Sequence, residues 1–153
     1  MRTPADDPAP ARFTTLPSWL LTQLAVHTHR LVADSFAELG SRGYHYRVLA
    51  ALDEFGPASQ AALGPRSGIH LSDLVATLNE LAESGYVERS PDPADKRRNI
   101  ITITPPGRRQ LRRLDRQLTQ AQQKLLAPLA DEEREQLTAL LRRLLEYHSS
   151  GTR

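Results

Sequence analysis

Residues 69–104, IHLSDLVATLNELAESGYVERSPDPADKRRNIITIT, decide the fold of this chain. Leu71, Leu74, Leu78 and Leu81 recur at the three-and-four spacing of an amphipathic helix over Ile69–Ser84. Gly85 follows as a residue suited to a left-handed helix stop. Tyr86–Arg89 reads as one strand and Ile100–Thr104 as a second, in which Ile101 and Ile103 alternate with Thr102 and Thr104. The intervening Ser90–Asn99 carries two prolines and two aspartates, residues that favour a projecting turn, and then Lys96-Arg97-Arg98 on the returning side. A helix followed by a hairpin with a cationic tip can place one element in a major groove and the other over a neighbouring minor groove. A solvated hairpin packed against a surface helix fits the same letters equally well.

Upstream, Leu16–Leu39 reads as a long helix entered at Pro17, a normal first-turn position, and closed by Gly40. Its apolar band is broad enough to lie between its own domain and a partner. Ser41 is placed to cap a second helix, Arg42–Phe55, with Val48, Leu49, Leu52 and Phe55 inward. Gly56-Pro57 breaks it. Ser59–Leu63 forms a short third helix, and Gly64–Gly68 a tight turn into Ile69. Short helix, glycine-bearing turn and longer amphipathic helix make a helix-turn-helix arrangement.

Downstream, Pro105-Pro106 opens another helix, in which Leu111, Leu114, Leu118, Ala121 and Leu125 form a seam suited to packing on a second helix, from this chain or another. Arg108, Arg109, Arg112, Arg113 and Arg116 ring its first half. Pro128 ends it. Asp131 can cap the last helix, with Leu137, Leu140, Leu141, Leu144 and Leu145 as its buried side. Residues 1–12, rich in proline, read as a disordered arm.

The 153 residues suffice for one domain with a core. Aromatics make up only 5%, and leucine and alanine dominate, which favours helix. Net charge is only +2, but it is unevenly spread. Arg89–Arg116 holds nine cations against Asp92, Asp95 and Asp115, a local excess that favours a polyanion. With no cysteine, disulfides and thiol redox sensing are excluded. No run reaches transmembrane length and no signal-peptide pattern opens the chain, so the default expectation is a soluble cytoplasmic protein. Enzymatic motifs are missing: there is no glycine-rich phosphate loop, no metal-ligand spacing and no serine elbow. His27 and His29 point to opposite sides of one helix, and His45, His70 and His148 are scattered. Neither a metal nor another cofactor is expected.

Four blocks together resemble the MarR family of winged helix-turn-helix regulators: Ser59–Leu63, Leu78–Arg89, Asp92–Arg98 and Thr102–Arg108. The resemblance implies a mainly α fold with a small β-wing. It places a DNA-binding lobe at residues 41–104 and dimerisation helices at 13–40 and 105–148. It further implies a homodimer on double-stranded DNA with a pseudo-palindromic operator, usually as a repressor. A small effector, often a phenolic or aromatic acid, would bind between the dimer helices and each lobe.

On the wing, Asp95 and Arg97 match the family's Asp-x-Arg, in which the acid braces an arginine that enters the minor groove; Lys96 and Arg98 flank it. A pre-oriented guanidinium loses less entropy on docking, and narrow A·T-rich grooves attract it. On the recognition helix the groove side would comprise His70, Ser72, Asp73, Ala76 and Thr77, approached by Arg66 and Ser67. Related sequences often carry an acid and an arginine where this chain has His70 and Leu71. Asp73 can accept from a cytosine N4 amine or simply favour the helix N-terminus. For the effector, His27, Arg30, Tyr44 and His45 offer a cation with phenolic and imidazole donors. The alternatives are a winged-helix module that binds protein, which the cationic wing disfavours, and a small enzyme.

Overall fold

A computed structural model of the chain describes residues 8–151. In order the elements are α1 (Ala11–Thr14), α2 (Pro17–Ala37), α3 (Gly43–Phe55), β1 (Ala58–Ser59), α4 (Gln60–Ser67), α5 (Leu71–Glu83), β2 (Val87–Pro91), β3 (Asn99–Ile103), α6 (Pro105–Leu125) and α7 (Asp131–Ser150). The fold is mainly α, with one small antiparallel sheet in the order β1-β3-β2. Val87 lies opposite Ile103, and both Arg89 and Ala58 flank Ile101. That register turns Val87, Ile101 and Ile103 inward onto the helices.

One core ties helices α2 through α6 and the sheet together. Leu49 and Leu52 of α3, Leu63 of α4, Leu74 and Leu78 of α5, Ile101 of β3 and Leu114 of α6 are all fully buried in it. Phe36 of α2 joins the same cluster and stacks on Tyr46, with ring centroids 5.4 Å apart. Truncating any one of these leucines to alanine would cost roughly 2–5 kcal/mol. The leucine seam of α6 is covered by α2 of the same chain, which leaves Ala121 buried and Leu118 half-buried.

The corner between β3 and α6 is unusually tight. Only Thr104 separates the two elements. Its backbone N–H donates to Tyr86 O at 3.0 Å, its hydroxyl donates to Gly85 O at 2.7 Å, and the same oxygen accepts from Gly107 N at 3.1 Å as the helix cap. A Cβ on Gly107 would sit 2.1 Å from Tyr86 O, so the α6 backbone approaches β2 as only glycine permits.

Several sequence-based expectations need correction. The arm over 1–12 is helical at its end, since Ala11–Thr14 forms a turn of helix; its residues 1–7 lie outside the described residues. Gly64-Pro65-Arg66-Ser67 is not a loop but the second half of α4, and the turn shrinks to Gly68, in the left-handed conformation at φ 68°, plus Ile69 and His70. Proline removes one hydrogen bond from so short a helix, and the Ser67 hydroxyl and Gly68 N–H close its end instead. Ser41 does not cap α3. It is buried against Gln110 Nε2 at 3.1 Å, and the His45 ring takes the capping role, its Nδ1 accepting from Arg42 N at 3.2 Å. Of the leucines read as the buried side of α7, Leu140, Leu141, Leu144 and Leu145 stay exposed within one chain and Leu137 is half-buried; no α7 residue is buried.

Candidate nucleic-acid interface

The helix-turn-helix is α4, the Gly68 turn and α5. Helix α5 buries Leu74, Thr77, Leu78 and Leu81 on one side. The opposite side carries Ser72, Asp73, Val75, Ala76 and Asn79, all exposed, with His70 at the N-cap and Leu71 in the first turn. Leu71, expected within the buried stripe, is 62% exposed; Ile69, two residues earlier, fills the core in its place.

Two predicted contacts are turned inward and cannot meet a duplex. Thr77 is 1% exposed, and its hydroxyl donates to Asp73 O at 2.7 Å. Ser67 is buried, with its hydroxyl donating to Leu63 O at 2.6 Å. Both satisfy their one donor on the preceding turn, which lets a hydroxyl sit in a core. Arg66 remains exposed, its guanidinium 5.3 Å from the centre of the Phe55 ring. His70, Ser72, Asp73 and Ala76 stand on the accessible side. Val75 and Asn79, which were not among the predicted contacts, are exposed on the same side. Arg89 of β2 donates to Asn79 Oδ1 at 2.6 Å and so ties the hairpin to α5.

The wing loop between β2 and β3 is built by its aspartates. Asp92 Oδ1 accepts from Ala94 N at 2.9 Å, and Asp92 N donates to Arg98 O at 2.8 Å. Asp95 Oδ1 accepts from Arg97 N at 3.1 Å and from Arg97 Nε at 3.2 Å, while its other oxygen lies 3.8 Å from Arg98 Nε. Asp95 therefore sets the backbone and the guanidinium of Arg97 together, yet the Arg97 side chain remains 91% exposed. Such an exposed pair adds little to stability, and its effect is to aim the cation outward. Lys96 is exposed beside it.

The wing and the start of α5 border one surface. A hollow of about 310 Å³ is lined by Ser59, Gln60, Ala61, Arg97, Arg98 and Asn99. A second, of about 480 Å³, runs from the same Gln60 and Ala61 past Pro65 and Ile69 to His70 and Leu71. The start of α4 thus bridges the cationic wing base to the start of α5.

The predicted effector group is not brought together. His27 and Arg30 are exposed on α2, and Tyr44 is partly exposed beside Arg47. His45 is buried, its Nε2 2.5 Å from Glu80 Oε2. Because Nδ1 already accepts from Arg42 N, Nε2 is the donor. Arg42 reaches the same Glu80 oxygen, and these two partners, His45 foremost, hold the Glu80 carboxyl below the usual carboxylate range. A cleft of about 350 Å³ between α2, α3 and α6 is lined instead by His29, Val32, Phe36, Tyr46, Arg47 and Leu118, among others. The spacing 29-32-33-36 on one helix and 43-46-47 on the next was the signal available for it. Tyr46 donates its hydroxyl to Asp115 Oδ1 at 2.8 Å; burial, with Asp115 alongside, pushes its pKa up to about 12. Arg47 Nη1 lies 3.5 Å from Gly68 O, so one side chain borders both the cleft and the turn before α5.

A family model described as the MarR family matches residues 39–98. A proposed transcriptional regulatory protein for the hcr operon of Thauera aromatica is 34% identical over 104 residues, which cover 68% of this chain and 63% of that protein. The chain thus spans less than two thirds of that relative's length. The PcaV transcriptional regulator of Streptomyces coelicolor superposes with a TM-score of 0.76 at 29% identity, over 89% of this chain and 99% of that one. MarR of E. coli complexed with operator DNA superposes with a TM-score of 0.72 over 90% of this chain and 99% of that one. Its identity of 22% makes it a likeness of fold.

Proposed function

The chain belongs to the MarR family of transcriptional regulators, and from that membership we propose that it is a homodimeric repressor that binds a pseudo-palindromic operator and is released by a small aromatic acid. The observation that carries the DNA-binding reading is the shared surface. Arg97, braced and exposed, and the outward side of α5 are joined through Gln60 and Ala61 on one side of the molecule. A duplex laid there meets α5 in its major groove and the wing in the adjacent minor groove.

The dimer reading rests on uncovered apolar surface at both chain ends. Leu20, Leu21 and Leu24 of α2 and Leu140, Leu141, Leu144 and Leu145 of α7 are exposed in a single chain. So much leucine on two helices is what a second copy would bury.

The effector reading rests on the cleft. Its size suits one small ring. The Arg47 guanidinium and the His29 imidazole can hold a carboxylate, and Phe36 and Tyr46 offer ring faces; the Tyr46 hydroxyl is already given to Asp115. An anion that draws Arg47 inward takes it from Gly68 O, at the hinge of the reading helix. PcaV has also been solved in complex with its natural ligand, at 29% identity to this chain. The test is selection of bound sequences from genomic DNA followed by footprinting, with the oligomer measured by sedimentation. Paired half-sites about one helical turn apart are expected. A monomer indifferent to duplex DNA in dilute salt refutes the reading.

A further inference from the structure

The exposed side of α5 is poor in the groups that read bases by paired hydrogen bonds. No lysine or arginine occurs between Leu71 and Glu83, and the one amide there, Asn79, has its oxygen occupied by Arg89. Bidentate recognition of guanine needs a cation, and of adenine a free amide oxygen and nitrogen on one side chain. Ser72, Asp73 and His70, at the N-cap position, can each make only simpler contacts. What the helix offers instead is apolar. Leu71 and Val75 are one turn apart and both exposed, and Ala76 adjoins them. Leu71 keeps most of its surface in water at the rim of the hollow that leads to the wing, an unfavourable position unless something apolar meets it. The only apolar group that base pairs present in the major groove is the thymine 5-methyl.

We propose that Leu71 and Val75 are specificity-determining residues that read thymine methyl groups in the operator major groove. This rests on the DNA-binding reading above and adds to it the chemistry of discrimination. The cations needed for affinity lie elsewhere, on Arg66 and the wing, so apolar readout and phosphate attraction are divided between neighbouring elements.

The test replaces thymidine by deoxyuridine, one position at a time, in a duplex obtained by selection, and measures affinity by fluorescence anisotropy. The substitution removes a methyl group and leaves pairing intact. Wild-type protein is expected to lose about fourfold at each position whose methyl is covered. Leu71→Ala, and separately Val75→Ala, should bind the thymidine and deoxyuridine duplexes equally at the position each residue covers. Both side chains are exposed, so the fold should tolerate the change; should a variant fail to fold, the deoxyuridine series with wild-type protein stands alone as the test. If every deoxyuridine duplex binds as the parent does, the inference is overturned while the DNA-binding reading survives. If selection yields no preferred duplex at all, both fall.

Discussion

Glu80 Oε2 lies 2.5 Å from His45 Nε2 and joins the first turn of α3 to the second half of α5. The same imidazole caps α3 through its other nitrogen. A ring that looked like a ligand group is therefore a bracket between the helix that lines the cleft and the second helix of the helix-turn-helix.

The bracket has an acid limit. The folded-state pKa of Glu80 is lowered, so its contribution is complete above the unfolded value of about 4.3 and is lost as pH falls through the depressed one. Glu80→Gln should lower the urea midpoint at pH 7, and its gap from wild type should narrow as the pH falls below the ordinary carboxylate range. A gap that stays constant across that range would show that the carboxylate charge is not what holds the two helices.

Gly107→Ala should destabilise the protein by roughly 1–3 kcal/mol, because the new methyl meets Tyr86 O and Ile103 Cγ1, and neither can move without disturbing the sheet. Thermal denaturation followed by circular dichroism measures this. An unchanged midpoint would mean that the corner is looser than its distances indicate.

Arg97→Ala should weaken operator binding and lower the slope of log affinity against log salt by about one, with the far-ultraviolet spectrum unchanged. Asp95→Asn should have a smaller effect of the same sign, since it loosens the aim of the guanidinium but removes no cation. Equal salt slopes for wild type and Arg97→Ala would remove the wing from the interface.

Leu141→Asp combined with Leu144→Asp should yield a folded monomer in sedimentation, since both side chains are exposed within one chain. A dimer that survives both charges would place the interface elsewhere.

Arg47→Ala should abolish release of DNA by small aromatic acids while leaving most operator affinity intact. Titration of the protein–DNA complex with benzoate-class acids reads it directly. A variant released as readily as wild type would show that the cleft cation does not hold the effector.

The helices and the wing were legible because each rests on local periodicity: Leu74, Leu78 and Leu81 on α5, and Ile101 and Ile103 on β3. Thr77 was misplaced through its chemistry. It stands three residues after Leu74 and four before Leu81, a core position, but a hydroxyl invites a surface assignment until its i−4 carbonyl partner is known. The two-residue β1 is too short to show any alternation. The cleft was only half legible: the spacings 29-32-33-36 and 43-46-47 mark two faces but do not say that they meet. Which faces of α2 and α3 enclose it depends on how those helices cross, and no local pattern states that angle. The α7 leucines make the converse point: a sequence declares that a face wants cover, not which molecule supplies it.

Thr104 is the single residue between the last position of the wing sheet and the first turn of a 21-residue helix, and its hydroxyl bonds to both Gly85 O and Gly107 N. There is no slack at that weld. Any tilt of the long shaft swings the cationic finger by a proportional arc, and in a paired assembly the span between two fingers becomes a ruler fixed at the far ends of the shafts. Tolerance for operators with half-sites one base pair nearer or farther should therefore be governed by residues remote from the duplex.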